Sequence, residues 1–227
     1  IGADVTAIEK SGTGYRVRVT TKAGATVVDA DLVVHGAGRI PKTKELDLPT
    51  AHVAADERGA ITVNEFMQST TNPGVYAAGD CTLPPGALPL TPVAAHEGFI
   101  VASNLLRGNT KRADYQGIAS VVFTEPPLAM VGLTEAQARH QGRDIRVKCE
   151  DTARWFSNRR VLESAAMYKT IVDNDTDHIL GAHLLGPDAA DVINIFALAV
   201  RHGLTATDLR HMMYAYPTSS SDVSHML

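Results

Sequence analysis

Two stretches of this 227-residue chain combine residue types and spacing that could do chemistry. Gly79-Asp80 follows the apolar run Val75-Tyr76-Ala77-Ala78, and Leu90-Thr91-Pro92-Val93-Ala94 follows a Pro/Gly-rich loop over residues 83–89. In open α/β sheets ligands sit at the carboxyl ends of strands, so a strand over residues 75–78 would place the Asp80 carboxylate to accept hydrogen bonds from ligand hydroxyls. An isolated Gly-Asp is more often a loop aspartate closing an Asx-turn, and it is the next element that tips the balance. Thr91 suits an N-cap and Pro92 the first helical position, where a missing N–H costs nothing. A helix start offers unpaired N–H groups and partial positive charge to a carbonyl oxygen or an electron-rich ring edge. Strand, Gly-Asp, loop and capped helix together make a ligand cradle.

Other motifs carry less. Gly36-Ala37-Gly38-Arg39-Ile40-Pro41 starts like a dinucleotide fingerprint, but Pro41 stands where a third glycine belongs and no helix begins there. Gly12-Thr13-Gly14 reads as a hairpin turn. Cys81 and Cys149 form no CxxC or Cys/His cluster, so they read as free thiols rather than zinc or dithiol chemistry. His178, His183, His202 and His211 are scattered and make no metal pattern. The segment Arg154-Trp155-Phe156-Ser157-Asn158-Arg159-Arg160 mixes aromatics with arginines and reads as a solvated loop edge or a subunit contact.

The elements that must position these residues follow from periodicity. Residues 15–20 alternate apolar and charged, as a half-solvated strand requires, with a hairpin back to residues 5–9 and a third strand over 25–29. Asp31-Leu32-Val33-Val34-His35 is uniformly apolar enough for a strand covered on both faces. Residues 59–64 read as a short strand and 69–74 as turns. Beyond residue 112 the pattern is α+β, with strands over 120–124, 129–132 and 145–148 and a hairpin of 166–173 with 179–185 across the turn 174–177. Thr134-Glu135-Ala136-Gln137 is a capping box opening a short helix. A helix from Asp188, apolar almost all round, ends at Gly203 and is expected to be buried.

Composition narrows the class. Lys plus Arg is 21 against 25 for Asp plus Glu, a net charge of -4 that argues against a nucleic-acid partner. No apolar run approaches the roughly 20 residues of a membrane span. No stretch reads as a signal peptide, which leaves a cytoplasmic protein as the expectation. The chain begins Ile1-Gly2-Ala3 without an initiator Met, which reads as the middle of a longer protein.

In order along the chain, Gly38-Arg39-Ile40-Pro41, Thr71-Asn72-Pro73-Gly74-Val75-Tyr76-Ala77-Ala78-Gly79-Asp80 and Leu90-Thr91-Pro92-Val93-Ala94 resemble the pyridine nucleotide-disulfide oxidoreductases, over essentially the whole length. The resemblance implies the C-terminal part of a flavoprotein with two dinucleotide-binding domains, followed by an α+β dimerisation domain. Residues 1–40 would end the NAD(P) domain, 41–112 would be the returning part of the FAD domain, and 113–227 the interface domain of a homodimer. Its cofactors would be FAD and NAD(P)H, and its substrate a small electron acceptor. Gly38, Gly79, Asp80, Leu90, Thr91, Pro92, Val93 and Ala94 would be cofactor-binding, with Asp80 on the ribityl chain and the helix start facing the pyrimidine side of the flavin. The family's Gly-rich FAD loop and redox CxxxxC would lie before Ile1.

One departure stands near the end, in Tyr214-Ala215-Tyr216-Pro217-Thr218-Ser219-Ser220-Ser221-Asp222. The disulfide reductases carry a His before the Pro-Thr and a Glu a few positions later, as the acid/base serving the opposite subunit. Those positions here are Tyr216 and Ser221. A phenol ordinarily titrates near pH ~10, too high to shuttle protons near neutrality as imidazole does. The acid/base pair that thiol–disulfide exchange of the glutathione-reductase kind uses is therefore missing from these positions, and Tyr216 becomes the candidate catalytic residue, as a hydrogen-bond donor to substrate.

Overall fold

The computed structural model describes residues 2–227, in two compact units that divide between Ile40 and Pro41. In the first unit β1 (Ala3–Ser11), β2 (Gly14–Thr21) and β3 (Gly24–Ala30) form an antiparallel meander in chain order. Two-residue connections fix the register, with Ser11 opposite Gly14 and Thr21 opposite Gly24. β2 alternates as its sequence does: Val17 and Val19 are half-buried, while Arg16 and Arg18 reach across to Asp29 (3.4 Å) and Glu9 (3.1 Å). The strand expected over residues 31–35 does not form. That stretch runs without a ladder, and Val34 is 83% exposed. A two-sided strand needs a neighbour on each edge and cover on each face, and the described residues of this unit supply neither.

The second unit starts with a loop-rich stretch knit by isolated bridges, Ala55 with Ile61, Val63 with Ser69 and Gln68 with Tyr76, around a small cluster of Val53, Ile61 and Ala77. The strands expected over 59–64 and 75–78 are reduced to these bridges. Parallel strands pair with partners distant in sequence through crossover connections, and the described residues contain no such neighbour. The turn reading of 69–74 holds: Ser69 Oγ accepts from the Asn72 N–H, and Asn72 Oδ1 from the Gly74 N–H at 2.9 Å. A 3₁₀ turn, Gly79–Cys81, follows, and then α1 (Thr91–Arg107), whose buried face is Val93, Glu97, Ile100 and Asn104. Asn104 saturates its amide, bonding Phe66 O, Lys111 O and the N–H groups of Thr110 and Lys111, which anchors the chain as it leaves the helix.

Next, β4 (Ala119–Val122), β5 (Leu128–Gly132), α2 (Glu135–His140), β6 (Ile145–Asp151), the single turn α3 (Phe156–Arg159), β7 (Met167–Asp173) and β8 (Ile179–Leu185) build an antiparallel sheet of order β4-β5-β8-β7-β6. All five strands coincide with expected ones to within a few residues. The capping box at Thr134 is made in both directions, Thr134 Oγ1 accepting from Gln137 N–H and Gln137 Oε1 from Thr134 N–H. α4 (Ala189–His202) runs from Asp188 to Gly203, which takes the left-handed φ of 62° that ends a helix without a Cβ penalty. It lies on β5 and β8 and buries Val192, Ile193, Phe196 and Ala199 against Ala129, Val131, Tyr168 and Leu184. The expected burial is met on the sheet side, while Leu198 and Asn194 face outward. α5 (Ala206–His211) was not anticipated, although Thr205 and Asp208 form a second capping box. Ala138 of α2 packs with Ile145 and Ile171 on the sheet face opposite α4.

Candidate cofactor-binding site

The turn carrying Asp80 and the first turns of α1 are packed together. Gly79 has φ +75°, a conformation that glycine enters freely, and a Cβ built there would lie 3.3 Å from the Ala94 Cβ. The chain before Asp80 therefore presses directly on the helix. Asp80 itself is half-buried on the 3₁₀ turn.

The start of α1 differs by one residue from the expectation. Leu90, with φ -125° and ψ 146°, is the N-cap, Thr91 is the first helical residue and Pro92 the second. The first helical bond is Ala94 N–H to Leu90 O at 3.0 Å. Leu90 has no side chain able to cap, and Pro92 no N–H to cap, so the N–H groups of Thr91 and Val93 stay outside the ladder with no cap from Leu90. Thr91 and Pro92 are exposed. The positive end of a 17-residue helix dipole thus lies at an exposed first turn, with Val93 buried just behind it. A glycine whose Cβ space is taken and an uncapped exposed helix start beside a carboxylate fit a ligand that brings hydroxyls and an acceptor edge, as FAD does.

Sequence reasoning missed the group that holds this arrangement together. Glu97, 1% exposed, accepts the Gly79 N–H on Oε2 at 2.6 Å and the Tyr115 hydroxyl on Oε1 at 2.8 Å. Burial, with donation to Glu97, pushes the Tyr115 phenol above the usual tyrosine range. The available signal was spacing: Glu97 lies four residues after Val93 and three before Ile100, on the apolar stripe of α1.

The remaining candidates lie elsewhere. Gly38 belongs to the first unit, on the unpaired stretch after β3, with open space around it. Tyr216 is 80% exposed, beside Phe156, Ser157, Arg160 and Asp222, with Ser157 donating to the Asp222 carboxylate. Cys81 is half-buried, its thiol directed at Ala78 O, and Cys149 is exposed. Trp155 packs on Tyr168 with ring centroids 5.7 Å apart, which ties the arginine-rich segment to the sheet. Among the described residues no group of three metal-ligating side chains forms, and no helix is long and apolar enough to cross a membrane.

The fold defines a class: a loop-rich segment with a tight turn packed on a long helix, joined to an antiparallel-sheet domain with one helical face. Comparison with known proteins makes it particular. Residues 1–98 match the pyridine nucleotide-disulphide oxidoreductase model and 118–227 the dimerisation domain of the same enzymes. The chain belongs to the pyridine nucleotide-disulphide oxidoreductase family. It is 45% identical over 182 residues to an uncharacterized 19.7 kDa protein in a mercuric resistance operon of Staphylococcus aureus, covering 80% of this chain and 100% of that one. It is 37% identical to mercuric reductase of Lysinibacillus sphaericus over 96% of this chain but 39% of that enzyme. The flavoprotein disulfide reductase RclA of Escherichia coli, in its Cu(II) complex, superposes with a TM-score of 0.84 at 31% identity, covering 98% of this chain and 49% of RclA. The chain thus spans less than half the length of these two reductases.

Proposed function

We propose that this chain is the C-terminal portion of an FAD-dependent NAD(P)H oxidoreductase that passes electrons from NAD(P)H through FAD to a disulfide, a metal ion or another small acceptor. The observation that carries the reading is the uncapped start of α1 packed against the Gly79–Cys81 turn. In this reading residues 1–40 end the NAD(P) domain, 41–112 complete the FAD domain and 113–227 form the interface domain of a homodimer. Bound FAD supplies hydride acceptance and onward electron transfer. Asp80 accepts hydrogen bonds from the ribityl hydroxyls. The N–H groups of Thr91 and Val93 donate to the pyrimidine edge, and the helix dipole favours the negative charge that gathers there on reduction. Leu90, Pro92 and Ala94 shape the approach, and Gly38 serves the cofactor from the stretch where the chain passes out of the NAD(P) domain. Tyr216 donates a hydrogen bond to substrate at the partner's site, its exposure leaving the hydroxyl free to reach across a dimer.

The test is flavin content. In the full-length protein Asp80→Ala is expected to weaken FAD binding roughly tenfold, the worth of a hydrogen bond to a charged group, and unchanged occupancy refutes the cradle. The 227-residue chain alone is expected to bind FAD weakly or not at all and to show no reductase activity. A second reading, a dimerisation module without chemistry, is favoured by one observation, that the 19.7 kDa relative is matched over its whole length. Light scattering with a flavin spectrum of the full-length protein separates the two: a colourless dimer supports the module, a yellow one the enzyme.

A further inference from the structure

The cradle described above is held by a group whose position is unusual for its chemistry. Carboxyl groups are rarely fully buried unless their oxygens find donors, and Glu97 uses one oxygen for each of two donors from different segments, Gly79 and Tyr115. Both are remote in sequence, on the turn that carries Asp80 and on the connection leading into β4. Tyr115 is itself bracketed by bonds to α4. Arg201 donates to Asp114 Oδ2 at 2.9 Å and to Gln116 O at 3.1 Å, and the Gln116 side chain donates to Val200 O at 2.9 Å. A continuous chain of contacts therefore runs from the turn of Asp80, through the buried face of α1, to the main helix of the dimerisation domain.

We propose that Glu97 is the positioning residue of the cofactor cradle, pinning the Gly79–Cys81 turn against α1 and, through Tyr115, making flavin retention depend on the seating of α4. The proposal rests on reading that turn and helix start as a flavin site. It assigns Glu97 no contact with flavin or substrate. A valine or leucine would fill the same helical face more cheaply, but would leave the Gly79 N–H without its acceptor.

Three variants test it with two readouts, amide exchange at Gly79 in the chain and FAD dissociation from the holoprotein. Glu97→Ala is expected to raise Gly79 exchange and the FAD Kd each about tenfold, the loss of one hydrogen bond to a charged group. Glu97→Gln keeps an oxygen for Gly79 and turns an NH2 toward the Tyr115 oxygen, so it is expected to restore both to within about threefold. Tyr115→Phe removes only the link toward α4 and is expected to raise the FAD Kd about threefold; it carries the test if Glu97→Ala does not fold. The proposal is overturned if Gly79 exchange is unmoved in Glu97→Ala, if Gln rescues no better than Ala, or if Tyr115→Phe binds FAD as the wild type does. A wild-type protein that takes up no FAD refutes the flavin reading instead. Gly79 exchange then still decides whether Glu97 holds the turn.

Discussion

Gly79→Ala tests the geometry of the cradle at its tightest point. An L-residue in the left-handed region costs about 1–2 kcal/mol relative to glycine, and Gly79 sits at φ +75°. The new methyl would also lie 3.3 Å from the Ala94 Cβ, adding a smaller repulsion. Relaxing to negative φ would swing the Gly79 N–H away from Glu97, now at 2.6 Å, and forfeit a hydrogen bond worth about 1.5–3 kcal/mol. Retaining the strained backbone is the lesser loss. The second unit should therefore lose about 1–2 kcal/mol, a fall in Tm of about 2–8 °C at its size. Gly98→Ala is the control within the same helix. Its Cβ meets open space and its backbone is helical, so it should gain about 0.5–1 kcal/mol. Thermal unfolding followed by far-UV circular dichroism compares the two directly. If both substitutions move Tm the same way, or Gly79→Ala stays within about 1 °C of the wild type, the turn is not pinned as described.

Three further outcomes follow from the second unit. The Arg146 guanidinium, with the Thr207 hydroxyl and N–H, holds the Asp177 carboxyl down to about 2. The folded pKa lies below the unfolded value near ~3.9, so this stabilisation is complete above about pH 4 and lost as pH falls toward about 2. With Arg146 42% exposed, screening limits it to about 1 kcal/mol, and Asp177→Asn should show that deficit at neutral pH but match the wild type near pH ~2 in urea titrations. Phe196→Ala empties the fully buried contact of α4 with β5 and β8 and should cost about 3–5 kcal/mol; a loss under about 1.5 kcal/mol would place the core elsewhere. Tyr216→Phe should leave stability within about 0.5 kcal/mol but lower turnover of the full-length enzyme, and unchanged turnover with every tested acceptor would sink its role.

What could be read from the sequence was set by how far apart the interacting residues lie. The capping box at Thr134, the stop at Gly203 and the hairpin of β7 with β8 are decided within about ten residues, and their expected positions hold. The apolar runs at 31–35 and 75–78 carry the composition of covered strands, yet a strand exists only where a partner completes its ladder. The first run finds none among the described residues, and the second makes only the isolated bridge of Tyr76 with Gln68. Thr91 looked like an N-cap because its type is right, but the preceding Leu90 already has the extended backbone that the cap requires. Glu97 was passed over for the converse reason. A lone glutamate on a helix is usually solvated, and only the fold shows that Gly79 and Tyr115 converge on it.

The uncapped start of α1 gives the sharpest separation of stability from function. Leu90 has cap geometry without a capping atom. A serine there could accept the Val93 N–H, since Pro92 offers none, and relative to alanine it should add about 1 kcal/mol to the helix. Comparing Leu90→Ser with Leu90→Ala cancels the loss of the half-buried leucine and isolates the cap. If the free N–H groups serve the flavin, the hydroxyl introduced by Leu90→Ser occupies a donor that the cofactor needs. The more stable variant should then bind FAD about 2–10-fold more weakly than the alanine one, the worth of one neutral hydrogen bond. Such an inverse relation is expected where an unsatisfied group is kept for a ligand. Equal FAD affinity in the two variants would mean that the helix start is merely frayed, and the Thr91 and Val93 donors would have to be struck from the site.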